Sequence, residues 1–178
     1  MKLPLAPCGF LLVLALLAPL RAAETMKTPE ENLAALGITL PAVKPPLANY
    51  VPAVRTGRLL YLAGHLPRDA AGNPIAGKVG RDLDEAAATR AARLTGIALL
   101  ATLKNELGDL AKVRRIVRVG GFVNATDTFT KHSQVINGCS DLLVAVFGDQ
   151  GRHARAAVGV ASLPLGAAVE IELIVEVD

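Results

Sequence analysis

The stretch ARAAVGVASLPLGAAVEIELIVEV, residues 154–177, decides the fold of this chain. Its two runs of small and β-branched residues, 155–161 and 168–177, have the composition of β-strands. The intervening segment contains Pro164 and Gly166, which are typical of a turn. The pattern therefore predicts two consecutive strands joined by a hairpin-like turn.

The second run alternates acidic and aliphatic side chains, which predicts a strand with one buried face and one wet face. Glu170, Glu172 and Glu176 fall on one face, and the other face carries Ile171, Leu173, Val175 and Val177. Arg155 opens the first run, and its planar guanidinium beside carboxylates would suit a small anionic substrate. A solvated strand face with surface ion pairs is the alternative, and the spacing alone leaves both interpretations open.

The order of elements along the whole chain predicts an α+β protein. A capping box at residues 28–31 predicts a short first helix, and Asp82 is expected to cap a second, long helix. The other expected elements are strands at 51–55, 59–63 and 113–123, and helices at 83–107 and 129–147. This order favours a mixed β-sheet with two helices packed on one face.

Several motifs in the same order resemble a known family. A-R-A-A-V-G-V-A-S-L-P from residue 154 and V-E-I-E-L-I-V-E-V from residue 169 resemble the signature of the Rid superfamily, the YjgF-like reactive-intermediate deaminases. N-Y-V-P-A-V at 49–54 and L-Y-L-A-G-H-L-P at 60–67 are similar to the family's first hairpin and its S-G-Q-x-P segment. The resemblance implies the chorismate-mutase-like Rid fold and a homotrimer with its sites in the clefts between subunits.

The resemblance also implies a set of site residues. It assigns Arg155 to the substrate carboxylate, and Glu170 to the reacting water and the leaving amine. The remaining substrate-binding positions that it implies are Tyr50, Gly64, Asn137 and Ala157.

Three positions depart from the family pattern. Ala63 stands where the family has Ser, His65 where it has Gln, and Ala157 where it has Cys. The change at residue 157 is tolerable if backbone groups hold the water there. The other two changes remove or alter polar contacts, so a different substrate is one expectation.

Two classes of function follow from the sequence. The first is hydrolytic deamination of small enamine or imine intermediates, similar to 2-aminoacrylate, to 2-keto acids and ammonia. An oriented carboxylate, a held water and a proton for the departing ammonia suffice for that reaction, so no cofactor is expected. The second is a non-catalytic trimeric binding module for small carboxylates or a protein partner, which the altered Ala63 and His65 favour.

Composition restricts the choice of partners and metals. Removing Lys2 and Arg21 from the 19 basic residues leaves 17 basic against 16 acidic side chains in residues 24–178, so nucleic acid is not expected as a partner. The three histidines lack metal-ligand spacing, and no metal is expected. Cys139 is the single cysteine after residue 23, and we expect a half-buried helix thiol that is not a nucleophile.

The N-terminal segment differs in kind from the rest. Residues 1–23 combine a cation, a short apolar run and an alanine-rich end, which is typical of a secretory signal peptide and too short for a membrane span. A start at Met26 is the alternative, with a dispensable leader before it. The predicted organisation is a leader at 1–23, a short helix and proline-rich linker at 24–46, and a Rid-like domain at 47–178. We expect a secreted or periplasmic protein if the leader is a true signal, and a cytoplasmic one otherwise.

Overall fold

The computed structural model describes residues 27–43 and 48–178. The expected leader at residues 1–23 and part of the proline-rich linker lie outside the described residues. The helices are α1 (Pro29–Ala35), α2 (Glu85–Leu107) and α3 (His132–Phe147), and the strands are β1 (Ala53–Thr56), β2 (Leu59–His65), β3 (Val113–Asn124), β4 (Ala154–Val160) and β5 (Val169–Val177). In this part of the chain, no helix has the length and apolar character needed to cross a membrane.

The five strands form one mixed sheet in the order β1-β2-β5-β3-β4. β5 pairs antiparallel with β2 and β3, β1 pairs antiparallel with β2, and β3 pairs parallel with β4. The parallel pair needs a long crossover connection, which α3 provides. The expected α+β fold, a mixed sheet with helices on one face, is confirmed.

The expected hairpin between the last two strands is wrong. β4 and β5 are separated by β3, which pairs with β4 along one edge and with β5 along the other. Pro164 and Gly166 lie in a short 3₁₀ turn within the connection that crosses over β3. A turn signal marks where the chain bends, whereas the twelve-residue β3 decides which strands become neighbours.

The two faces of the sheet differ in what covers them. On one face, here called the helix face, α2 and α3 pack over residues such as Val119 and Leu173, which are almost completely buried. On the other, here called the open face, Val54, Tyr61 and Val158 are 55%, 42% and 45% exposed. The described part of the chain therefore leaves apolar side chains of the open face in contact with solvent.

Alanine and leucine dominate α2, and both residues favour helix. The helix is capped by Asp84, whose Oδ1 accepts a hydrogen bond from the Ala87 amide at 2.7 Å. Asp82, the expected cap, instead accepts from the Lys78 amide at 2.8 Å and pairs with Arg81. The expected cap was wrong because the aspartate two residues later lies next to the free amides of the first turn.

The first helix anchors the N-terminal segment to the helical layer. The capping box is confirmed, since the Thr28 hydroxyl accepts from the Glu31 amide at 3.2 Å and the Glu31 carboxylate from the Thr28 amide at 2.7 Å. Asn32 donates to the Val146 carbonyl of α3 at 2.9 Å. Glu30 accepts from Lys104 of α2 at 2.6 Å, so α1 joins both longer helices.

Glycines allow α2 and α3 to approach closely. A methyl group at Gly138 of α3 would overlap the backbone carbonyl oxygen of Thr89 in α2. A methyl group at Gly96 of α2 would lie 3.2 Å from the Sγ of Cys139, which is fully buried. The distance between the two helices is therefore set by the absence of side chains at these positions.

We expect Gly138→Ala to lower the free energy of unfolding by about 2–3 kcal/mol, because the new methyl group meets backbone that cannot rotate away. Urea titration followed by circular dichroism measures this loss. Gln134→Ala, an exposed position one turn earlier on α3, is the matched control and should change little. Equal stability of Gly138→Ala and the native chain would contradict the close helix contact.

Candidate functional site

Arg155 lies near the start of β4 and points toward α3. Its Nη1 donates to Asn137 Oδ1 at 2.8 Å and to Ser140 Oγ at 3.0 Å. Arg155 pairs with the buried Val119 of β3, which fixes its side chain on the helix face. Two of the predicted site residues, Arg155 and Asn137, are therefore in direct contact.

The Nε and Nη2 groups of the Arg155 guanidinium have no hydrogen-bond partner among the described residues. Both hydrogen bonds of the guanidinium are donated by Nη1. No carboxylate of these residues lies within ion-pair distance of Arg155, and the residue is exposed. The Nε–Nη2 edge is the one that matches a planar carboxylate with two parallel bonds.

Ala157 lies two residues after Arg155 on the same face of β4. It pairs with Gly121 of β3 and packs, half-buried, against the hydrophobic core. A methyl group at Gly121 would overlap Ile136 of α3, which confirms that this row of residues faces the helices. Position 157 therefore contributes backbone and a small side chain beside Arg155.

Glu170 lies on β5 and its carboxylate rests over Gly64 of β2. A methyl group at Gly64 would overlap Glu170 Oε1, so only glycine leaves space for the carboxylate in this position. The same relation recurs two residues further along β5, where a methyl group at Gly120 would lie 2.6 Å from Glu172 Oε1. The predicted pair Glu170 and Gly64 is thus also brought together.

The Glu170 carboxylate is half-buried and carries no partner among the described residues. No hydrogen bond or ion pair of this part of the chain involves it, whereas Glu172 pairs with Arg118 at 3.3 Å and Glu176 with Arg58 at 3.6 Å. Burial raises the pKa of Glu170, and the nearby Glu172 carboxylate raises it further. The raised pKa lets Glu170 keep its proton to a higher pH than an ordinary glutamate, which suits a role in proton transfer.

Arg155 and Glu170 do not meet within one chain. Glu170 pairs with Phe122, three residues along β3 from Val119, so the two side chains leave the sheet on opposite faces. The expectation from sequence that the guanidinium lies beside the carboxylates is wrong for a single chain. The reason is topological, since β3 lies between the two strands and sets their relative register.

Comparison with known proteins identifies the family. The profile of the family described as "YjgF/chorismate mutase-like, putative endoribonuclease" matches residues 30–177. The chain belongs to the YjgF/Rid superfamily. Protein TCP17 of Trypanosoma cruzi is 45% identical over 148 residues, which cover 83% of this chain and 92% of TCP17.

Solved structures of other proteins share the fold of this YjgF/Rid chain. Protein Atu1372 of Agrobacterium tumefaciens, of unknown function, is 49% identical with a TM-score of 0.78, covering 85% of this chain and 94% of its own. A "putative endoribonuclease" of Shewanella oneidensis MR-1 is 32% identical with a TM-score of 0.82, at 85% and 100% coverage. RidA of an Antarctic Psychrobacter is 26% identical with a TM-score of 0.52, at 78% and 94% coverage.

Tyr50 is far from Arg155 in this YjgF/Rid chain. It is 53% exposed and lies just before β1, at the edge of the sheet opposite to β4. Four strand spacings separate the two edges, or about 19 Å. Tyr50 is therefore not brought together with Arg155 in one subunit.

His65, which replaces the usual Gln, is turned into the protein. Its Nδ1 donates to the Ala63 carbonyl at 2.8 Å, since a carbonyl only accepts, and its Nε2 accepts from the Thr102 hydroxyl at 2.8 Å. Burial lowers the pKa of His65, which favours this neutral form. The bonds tie the irregular end of β2, next to Gly64, to α2.

Neither a metal cluster nor a reactive thiol emerges in the described part of the chain. Residues 27–43 and 48–178 contain no group of three or more His, Cys, Asp or Glu side chains that could hold a metal ion. Burial raises the pKa of Cys139 to about 12, which suppresses the thiolate that reacts. The thiol lies on a helix as expected, but it is fully buried instead of half-buried.

We expect Glu170→Gln to raise the melting temperature at pH 7–8. The folded state raises the pKa of Glu170, so ionisation destabilises the native protein as pH rises from the ordinary glutamate range through the folded value. The glutamine amide does not ionise, so the variant avoids this destabilisation. The increase in melting temperature should therefore shrink toward zero as pH falls to about 4. Differential scanning calorimetry across this range measures the difference.

Glu176→Gln is the matched control for this prediction, because Glu176 lies on the same face of β5 but is paired with Arg58. It should give no comparable gain at high pH. A gain for Glu170→Gln that stays constant from pH 4 to pH 8 would contradict the raised pKa of Glu170.

Proposed function

We propose that this YjgF/Rid protein hydrolyses small enamine or imine derivatives of 2-keto acids, similar to 2-aminoacrylate, to the keto acid and ammonia. The observation that carries the proposal is the free Nε–Nη2 edge of Arg155, a cation without a carboxylate partner among the described residues. The similarity to a protein named RidA supports membership of the Rid superfamily, whose resemblance implies reactive-intermediate deamination.

Arg155 would bind the substrate carboxylate. Two parallel bonds from the guanidinium fix the plane of the carboxylate and, with it, the adjacent imine carbon. The small side chain of Ala157 on the same face leaves space next to that carbon. Orientation of this kind turns attack by a bound water into a step within one complex.

Glu170 would transfer the protons. An enamine first takes a proton from solvent at its carbon and becomes the iminium ion. Glu170 then takes a proton from a bound water as the water oxygen bonds to the imine carbon, and returns that proton to the nitrogen. As the C–N bond breaks and ammonia leaves, the hydroxyl formed from the water gives its proton to Glu170 or to solvent and becomes the keto oxygen. The products are the 2-keto acid and ammonia. The raised pKa of Glu170 supports both roles, because the carboxylate then holds its proton closer to neutral pH.

A complete site would need two chains. Arg155 and Glu170 leave the sheet on opposite faces, and Tyr50 lies at the opposite edge from Arg155. Exposed Val54, Tyr61 and Val158 give the open face an apolar surface that a second subunit would cover. We therefore propose a homotrimer in which Arg155 of one subunit faces Glu170 of the next across the cleft.

A binding module for small carboxylates is the second candidate, favoured by the inward orientation of His65. Its ring is occupied by Ala63 and Thr102, so the side chain at this position offers the cleft no free polar group. Such a module would bind 2-keto acids through Arg155 and show no turnover. RNA is not expected as a substrate, because residues 24–178 lack an excess of positive charge.

The activity can be tested with 2-aminoacrylate generated from serine by a dehydratase, following the rate of pyruvate release. We expect Glu170→Gln to lower kcat by about 10²-fold, with the affinity for pyruvate changed by only a few-fold. Arg155→Lys should raise KM, since an ammonium cannot form the paired bonds. A native protein that binds pyruvate but does not accelerate the formation of pyruvate from 2-aminoacrylate would favour the binding module instead.

Mixing two variants that are each strongly impaired tests the shared site. Subunits of Arg155→Ala and Glu170→Gln, unfolded together and refolded as one pool, should recover activity at about a quarter of the sites, because each intact residue comes from a different chain. Each variant refolded alone is the control, and Glu170→Gln alone should keep only about one hundredth of the native rate. No recovery in mixed trimers, verified by light scattering, would rule out a site built from two chains.

A further inference from the structure

Ser140 and His153 form a continuous hydrogen-bonded chain that ends on Arg155. His153 Nδ1 lies 2.6 Å from the Gly151 carbonyl, and its Nε2 lies 3.0 Å from Ser140 Oγ. Ser140 Oγ in turn lies 3.0 Å from Arg155 Nη1. Neither residue was singled out from the sequence, and the proposed hydrolysis assigns neither a role.

The direction of each bond in this chain follows from the neutral form of His153, whose pKa is lowered by burial. The Gly151 carbonyl only accepts, so Nδ1 carries the single proton of the neutral imidazole and Nε2 is an acceptor. The Ser140 hydroxyl must therefore donate to His153, which leaves its oxygen lone pairs for Arg155. The Arg155 guanidinium can only donate hydrogen bonds, so the Ser140 hydroxyl cannot donate to it. If the Ser140 hydroxyl hydrogen turned away from His153, the bond to His153 would be lost.

The partners of the guanidinium are electrically neutral. Asn137 supplies an amide oxygen and Ser140 a hydroxyl, and neither compensates the positive charge. Burial lowers the pKa of His153, and the neighbouring Arg155 charge lowers it further, which keeps the imidazole neutral. A carboxylate in either position would hold the arginine equally well but would compete with an anionic substrate.

We propose that Ser140 and His153 are positioning residues that fix the rotation of the Arg155 guanidinium and present its free edge to the substrate carboxylate. The inference rests on the proposed function and assigns it two further residues. An exposed arginine loses side-chain freedom when it binds a ligand, and ordering it beforehand lowers that cost. Both residues act through Arg155 and need not touch the substrate.

Titration calorimetry with 2-oxobutanoate on the full-length chain tests the role. We expect Ser140→Ala and His153→Leu each to weaken binding by about three- to tenfold, with melting temperatures near that of the native protein. His153→Gln should restore most of the affinity, because its amide oxygen can accept from Ser140 as Nε2 does. Ser133→Ala, an exposed serine near the start of α3, is the matched control and should bind normally.

A second readout reports on the guanidinium directly. Nitrogen-15 relaxation of the Arg155 Nε–H group should show greater motion in Ser140→Ala and His153→Leu, and native-like order in His153→Gln. Weaker 2-oxobutanoate binding without increased motion of the Arg155 Nε–H group would overturn the positioning role, because the two variants would then lower affinity without loosening the guanidinium. Unchanged affinity in both Ser140→Ala and His153→Leu would overturn it as well.

Arg155→Ala separates this inference from the proposed function. If that variant loses 2-oxobutanoate binding while Ser140→Ala and His153→Leu keep it, the positioning role alone is wrong. If Arg155→Ala binds 2-oxobutanoate as tightly as the native chain, the carboxylate role of Arg155 is wrong, and the positioning role falls with it. Loss of binding in all three, with rescue by His153→Gln, supports both.

Discussion

The antiparallel register between β3 and β5 is the constraint on which the rest of this structure depends. It places the aliphatic half of β5 under α2 and α3, and the acidic half on the open face. β3 carries the same register to its other edge, where it pairs in parallel with β4. A slip of one residue between β3 and β5 would turn Glu170 into the core and Ile171 out to solvent, so the core and the acidic row are fixed by one pairing.

Local pattern predicted the elements well, and the long-range pairing only in part. Alternation in β5 and the capping box of α1 depend on residues close in sequence, and both are present as expected. The neighbour of β4 could not be obtained in this way, because the turn at Pro164 is compatible with a hairpin and with a crossover. The cap of α2 was misassigned for a related reason, since Asp82 and Asp84 are equivalent by residue type and differ only in where the chain bends.

The candidate site was predicted as a list of six residues, and the structure divides five of them into two groups, with Tyr50 apart from Arg155 at the β1 edge of the sheet. Arg155, Asn137 and Ala157 lie together on the helix face, and Glu170 lies with Gly64 on the open face. Ser140 and His153 were missed, although spacing carried a signal for both. Ser140 follows Asn137 by three residues on a helix, and His153 precedes Arg155 by two on an extended segment, so each shares a side with a predicted residue. A serine and a histidine in those positions are common in any protein, which is why the signal was not specific.

The carboxylates that lie over glycines have a consequence for how this surface can change through evolution. A side chain at Gly64 would occupy the space that the Glu170 carboxylate now fills, and Gly120 stands in the same relation to Glu172. The contacting atoms belong to flexible side chains, so enlarging the glycine would turn the acid out of its present position, whereas shortening the acid would leave an empty recess. A change in either member of the pair therefore alters the position of the carboxylate. Descendants of this chain that have lost the acid are free to fill the recess and adapt the open face to other ligands.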